Sequence, residues 1–360
     1  MPVADDHADW LKLALVPGIG PESQRKLLAA FGLPGNVLAQ SALSLSRIVP
    51  AQLARRLQAG PEPECLEAAL KWLETQDNHL LTLADADFPP AWFEIGDPPP
   101  VAYLKGNRGL LASPALAVVG SRNATAQGNL DAEAFARVLS DAGFCIVSGL
   151  ALGIDAAAHR GGLAGKSSTI AIIGTGADLI YPARNRDLAH RIAAEGLIVS
   201  EFALGTPALA ANFPRRNRLI SGLSKGCLVV EAALSSGSLI TARLAAEQRR
   251  DVFALPGSIH SPMSKGCHAL IKQGAKLLES ADDLLQELLP GLARERPGQA
   301  TTNSAATHPL LELMGHGLLD VNMICERSGL TPEVVQAQLL ELELAGSVAA
   351  LAGGHYQRIG

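Results

Sequence analysis

Phe144-Cys145-Ile146-Val147-Ser148-Gly149-Leu150-Ala151-Leu152-Gly153-Ile154-Asp155 is the stretch that decides the fold. Its first four residues are apolar without polar alternation, as in a strand buried on both faces. A glycine-punctuated turn follows, and a helix lies beyond Asp155. Five more runs share this form: Leu116 to Val119, Thr169 to Ile173, Leu197 to Val199, Cys227 to Val230 and Val252 to Leu255. Helical stretches such as Gln127 to Asp141 and Asn185 to Glu195 separate them. Repeated β–α units of this kind predict an α/β fold with a mostly parallel, doubly wound sheet.

Outside this region the pattern changes. Helices are expected at Asp9 to Val16, Glu22 to Phe31, Ala42 to Ala59 and Pro63 to Gln76. Val16-Pro17-Gly18-Ile19-Gly20-Pro21, between the first two, has the form of a helix–hairpin–helix, whose turn can offer N–H groups to a DNA phosphate. Core-only helical packing explains it equally well. The segment from Pro290 to Thr307 is rich in Pro, Gly, Ser and Thr and reads as a linker. From His308 the chain reads as three helices and a hairpin turned by Gly353-Gly354, a winged-helix pattern. The expected division is a helical domain at 1–80, the sheet domain at 81–289, a linker at 290–307 and a winged helix at 308–360.

The 360 residues are 48% hydrophobic and 18% charged, enough to bury a core and to exclude whole-chain disorder. No apolar run is long enough to span a membrane, and MPVADDHADW lacks the apolar region of a secretory signal. Five widely spaced cysteines without a C-x-x-C predict reduced thiols in a cytoplasmic protein, with no zinc site. Net charge is −5, but residues 110–290 hold 17 Lys/Arg against 15 Asp/Glu. A polyanion site is therefore expected in that middle region.

The Gly-rich turns all fall on the carboxyl edge of the sheet, where doubly wound folds bind ligands. They are Gly120-Ser121-Arg122, Ser148-Gly149, Gly174-Thr175-Gly176, Ser236-Gly237-Ser238 and Pro256-Gly257. Each alone could be a tight turn. Five together, interleaved with Ser, Thr and Arg, favour N–H groups gathered around phosphate. Arg122, Arg184 and Arg186, and the cluster Phe213-Pro214-Arg215-Arg216-Asn217-Arg218, supply forks suited to phosphate oxygens. Tyr181 and Phe213 stand beside them as stacking surfaces for bases. The competing explanation for Arg215 to Arg218 is a solvated helix start or salt bridges to Glu201 and Glu231.

Familiar catalytic sets do not fit. Gly165-Lys166-Ser167 ends like a P-loop, but Arg160 occupies the first Gly position. Gly174-Thr175-Gly176 starts like a dinucleotide fingerprint, but Leu179 stands at its third Gly. His159, one turn after Asp155, reads as a helix-surface hydrogen bond. Cys267 and His268 are adjacent, so their side chains diverge. The third C-terminal helix, Thr331 to Ala345, holds Glu333, Glu341 and Glu343 but no Lys or Arg. An acidic helix repels a major groove, so a protein-contact role is expected for it.

These motifs, in this order, resemble those of the DNA-processing protein A (DprA, also called Smf) family. The resemblance rests on Gly120-Ser121-Arg122, Ser148 to Asp155, Ala158-His159, Thr169 to Gly176, Tyr181-Pro182 and Ser200-Glu201. It continues through Phe213 to Ser224, Val230-Glu231-Ala232, Ser236 to Ala242 and Ala254 to Ser258, covering nearly all of residues 116–275. One departure is His268, where the family usually has Asn. The resemblance implies a Rossmann-like domain flanked by a SAM-like helical domain and a winged helix. It further implies a cytoplasmic binder of single-stranded DNA that protects incoming strands in natural transformation (competence) and loads RecA recombinase. A homodimer through the Rossmann-like domain, no cofactor and no catalysis are implied, with single-strand-binding protein as a further partner. The implied DNA-binding residues are Gly120, Ser121, Arg122, Ser148, Gly149, Gly174, Thr175, Gly176, Tyr181, Arg184, Phe213, Arg215, Arg216, Asn217, Arg218, Gly237 and Ser238. Two rival expectations are a nucleotide phosphoribohydrolase using Glu201 or Glu231, and a transcription regulator using the winged helix.

Overall fold

The computed structural model describes residues 5–289, 308–315, 317–351 and 353–359. The expected linker at 290–307 lies outside the described residues. The chain begins with six helices: α1 (Asp5–Ala14), α2 (Pro21–Phe31), α3 (Pro34–Leu38), α4 (Ala42–Leu45), α5 (Ala51–Ala59) and α6 (Pro63–Leu73). Leu13, Leu27, Val37, Leu45, Leu53 and Leu57 form a core of their own between these helices. The single helix expected over Ala42 to Ala59 is two. Pro50 has no N–H to donate and stands as the cap before α5, while Ser41 caps α4 by accepting from the Ser44 N–H.

The sheet has nine strands: β1 (Asn78–Thr82), β2 (Val101–Gly106), β3 (Ala115–Val119), β4 (Cys145–Ser148), β5 (Thr169–Ile172), β6 (Leu197–Ser200), β7 (Gly226–Val229), β8 (Asp251–Ala254) and β9 (Lys276–Leu277). Their order is β1-β2-β6-β5-β4-β3-β7-β8-β9. The stretch from β6 to β9 is parallel throughout; β1 and β2 form an antiparallel pair added antiparallel to β6. Because β1 starts at Asn78, a domain boundary at residue 80 cuts this strand.

Burial on both faces explains the unbroken apolar runs. In β3, Ala115, Ala117 and Val119 enter one core while Leu116 and Val118 enter the other. The first core lies under α7 (Pro90–Phe93), α11 (Asn212–Leu223), α12 (Ser238–Glu247) and α13 (Lys265–Lys272). The second lies under α8 (Ala126–Asp141), α9 (Ile154–Ala164) and α14 (Ala281–Leu288), and α10 (Arg186–Glu195) covers a smaller cluster around Ile173 and Ile198. Helices α8 and α9 pack very closely, since a side chain at Gly161 would run into the Glu133 carbonyl. Gly165, which suggested a P-loop, ends α9 and lies against Ser140.

The C-terminal unit is a winged helix: α15 (Pro309–Met314), β10 (Leu318–Asp320), α16 (Val321–Ser328), α17 (Pro332–Leu344), β11 (Val348–Leu351) and β12 (His355–Arg358). Its three strands are ordered β10-β12-β11, and Leu310, Ile324, Val335 and Leu339 fill its core. Glu333, Glu341 and Glu343 of α17 are exposed. Among the described residues no helix is long and apolar enough to cross a membrane.

Candidate nucleic-acid interface

The site assembles where α11 lies across the carboxyl ends of the central strands. Helical phase sets its two faces. Leu219 and Ile220 lie three and four residues after Arg216, and Leu223 lies four and three residues after them, so Arg216 shares the core-facing stripe. Trp92 anchors that stripe by donating from its indole Nε1 to the Leu219 carbonyl at 3.1 Å.

Arg216 is 4% exposed. Its Nη1 donates to the Ile172 carbonyl at the end of β5, and its guanidinium fills the space that a side chain at Gly149 would need. Burial lowers its pKa to about 10, against the favourable charge of Asp155 and with Arg122 adding to the fall, so Arg216 stays cationic at neutral pH. Burial likewise raises the Asp155 carboxyl, opposed by Arg216 and by hydrogen bonds from the Gly149 and Ala151 N–H groups at 3.1 and 3.4 Å.

Asp155 and His159 are therefore not a helix-surface pair. Both are buried, and each separately ties down the turn after β4. His159 Nε2 accepts from the Leu150 N–H at 3.2 Å, which leaves the proton on Nδ1 to meet Thr169 Oγ1 at 2.7 Å. Burial, and after it the charges of Arg216 and Arg160, lower the His159 pKa to about 3. Asn185, which no sequence motif marks, completes the brace by donating to the Leu150 and Ala151 carbonyls. The need of a buried turn to satisfy its polar groups was the available signal.

Above this base lies a ladder whose middle rung, Phe213, is half-buried. The Arg122 guanidinium carbon stands 5.7 Å from the centre of the Phe213 ring, and Phe213 stands 5.7 Å from Tyr181 at an interplanar angle of 40°. Phe213 rests on Gly174, where a Cβ would approach its ring to 3.0 Å, and Asn212 donates to the Gly174 carbonyl. Arg122, Arg184, Arg186 and Tyr181 are exposed, and none of the three arginines carries an ion pair among the described residues. Cationic forks and two aromatic faces thus share one lip of the sheet.

Arg218 is elsewhere. Its guanidinium is clamped by Glu201 through two contacts of 2.6 and 2.8 Å, and its Nε meets Asp97 at 2.7 Å. Burial works against this charge, and Glu201 and Asp97 outweigh it, holding the group above its usual range. Arg218 belongs to the salt bridge that the sequence offered as the alternative. Arg215 is between the two roles: its side chain is exposed, while its guanidinium lies over the Phe202 ring and 3.2 Å from Glu201.

Several turn residues are already spent on the fold. The Ser148 hydroxyl donates to the Val118 carbonyl, Thr175 Oγ1 donates to the Leu179 carbonyl, and the Gly176 N–H donates to the Thr206 carbonyl. Ser121 gives its N–H to the Glu231 carbonyl, directly after Gly120. Glu231 also fills the start of α8, accepting from the Thr125 N–H at 2.9 Å and from its hydroxyl at 2.6 Å. Gly237 is exposed and Ser238 is buried beside Ser236 at the start of α12. Among the described residues no hydrogen bond, ion pair or ring contact joins these two, or Asn217, to the ladder. No group of three or more His, Cys, Asp or Glu gathers as a metal site among the described residues.

Comparison with known proteins places this arrangement in context. The family described as DNA recombination-mediator protein A matches residues 79–289, and the DprA winged helix domain matches residues 294–354. Protein Smf of Escherichia coli is 45% identical over 330 residues, covering 89% of this chain and 86% of that protein. DNA processing protein DprA of Streptococcus pneumoniae is 44% identical over 226 residues, covering 60% of this chain and 80% of that protein. Its X-ray structure superposes with a TM-score of 0.69 at 37% identity, covering 80% of this chain and 99% of that one. DNA processing protein A of Helicobacter pylori, from a study of its single-stranded DNA binding mode, superposes with a TM-score of 0.54 at 32% identity, covering 59% and 96% of the two chains.

Proposed function

This chain belongs to the DNA recombination-mediator protein A family, and from that premise we propose that it binds single-stranded DNA along the carboxyl edge of its sheet. The carrying observation is the ladder of exposed Arg122, half-buried Phe213 and exposed Tyr181 over the buried cation Arg216. Bases stack on Phe213 and Tyr181 while Arg122, Arg184 and Arg186 meet phosphates. The two carboxylates on which a hydrolase would rest are engaged, Glu201 by Arg218 and Glu231 by Thr125, which favours binding over chemistry. The exposed acidic face of α17 disfavours duplex reading by the winged helix.

Truncating the rings tests the proposal. Base–aromatic stacking contributes about 1–3 kcal/mol per base, so Phe213→Ala should weaken oligonucleotide binding by roughly five- to a hundredfold. Unchanged affinity in folded Phe213→Ala and Tyr181→Ala variants rejects the ladder as the base platform.

The family resemblance supports the finer reading as well: a homodimeric, cytoplasmic mediator that protects strands in natural transformation and hands them to RecA recombinase, with single-strand-binding protein as a further partner. RecA filament formation on coated DNA, with and without this protein, tests the hand-off. No acceleration rejects it.

A further inference from the structure

The order of the sheet reverses between β3 and β7: from β3 the chain steps to β4, β5 and β6 on one side, and β7, β8 and β9 lie on the other. In doubly wound folds that crevice takes nucleotides, whose phosphates sit on the N–H groups opening the next helix. Here that helix is α8, and its opening already holds an anion. Glu231, just past β7, sets one carboxylate oxygen 2.9 Å from the Thr125 N–H and the other 2.6 Å from the Thr125 hydroxyl, which in turn accepts from the Gly128 N–H at 2.9 Å. Gly128 lacks a side chain where one would strike this carboxylate. At Gly120 a Cβ would fall 2.6 Å from Ile154 and 2.8 Å from the Glu231 carbonyl, so the crevice is closed from that side too.

We infer that Glu231 is a specificity-determining residue: a built-in anion that occupies the phosphate position at the switch point and turns away free nucleoside phosphates. Anion binding is thereby left to the arginines on the neighbouring part of the edge. The carboxylate offers two oxygens to an N–H and a hydroxyl, as a phosphate does, and carries a charge that repels a second anion.

Chemical rescue of Glu231→Ala distinguishes this from a plain structural brace. Thermal unfolding and the yield of folded protein are compared in phosphate and in chloride at matched ionic strength, for the wild type, Glu231→Ala and Glu231→Gln. A surrogate anion predicts that Glu231→Ala loses stability in chloride and regains several degrees of Tm, or its folded yield, in phosphate. Glu231→Gln, which still fills the space, should lose stability without regaining it. The wild type sets the general stabilising effect of phosphate. AMP should likewise raise the Tm of Glu231→Ala and not that of the wild type. No gain in phosphate for Glu231→Ala beyond the wild type, or AMP binding by the wild type at this turn, overturns the inference.

Discussion

Arg122 and Arg218 carry the same charge, yet their truncations should fail in different ways. Arg122 is exposed with no ion pair among the described residues, so Arg122→Ala should leave Tm unchanged. A charge-assisted contact is worth about 1.5–3 kcal/mol, so binding should fall by roughly tenfold to a hundredfold, with the salt slope reduced by about 0.7. Arg218 is buried in its clamp with Glu201 and Asp97. Removing one partner of such a pair costs about 3–5 kcal/mol, so Arg218→Ala should lower Tm sharply. A stable Arg218→Ala with weak binding would return that residue to the DNA track. His159 carries a pH dependence. Unfolded, it takes a proton near its ordinary 6.5; folded, its pKa is about 3. The unfolded chain therefore binds more protons in that window, and the contribution of His159 is full above 6.5 and lost as pH falls toward 3. The Tm of the wild type should drop across this range by more than that of His159→Gln. Parallel curves contradict the buried neutral ring.

At the scale of elements, the central strands were legible because burial on both faces leaves unbroken apolar runs. β1 and β2 were not, since Asn78-His79-Leu80-Leu81-Thr82 is short, starts polar and follows helices, and its place in the sheet depends on partners from Val101 to Lys105, beyond an intervening helix. Pro50 was a visible breaker inside a helix-like pattern. The ladder was half legible: residue types named Arg122, Tyr181 and Phe213, but only the phase of α11 separates buried Arg216 and clamped Arg218 from the surface. The internal roles of Ser148, Thr175 and Glu231 depend on which strands become neighbours, which no local pattern states. Gly149 tests the packing of this edge. Its Ala variant should displace the Arg216 guanidinium, destabilising the fold by an overpacking cost of about 1–3 kcal/mol, read as a lower Tm, and weakening strand binding. A neutral Gly149→Ala contradicts the Arg216 placement.

Over the whole molecule, the net charge of −5 conceals one cation-rich lip. The winged helix does not add to it: residues 305–360 hold 2 Lys/Arg against 6 Asp/Glu, and the glutamates of α17 face outward. Deleting residues 309–360 should therefore leave single-strand binding within a few-fold. A tenfold loss from a truncated protein that still folds would place DNA on that unit. The central claim is that an arginine and aromatic edge holds an unpaired strand by phosphate contact and stacking. Its most direct test is a salt titration of the full chain with a single-stranded oligonucleotide and with the matching duplex. The account predicts tighter binding to the single strand with little dependence on base sequence, and log affinity falling linearly with log salt, by about 0.7 per phosphate contact. Equal affinity for the duplex, or affinity that does not change with salt, contradicts it.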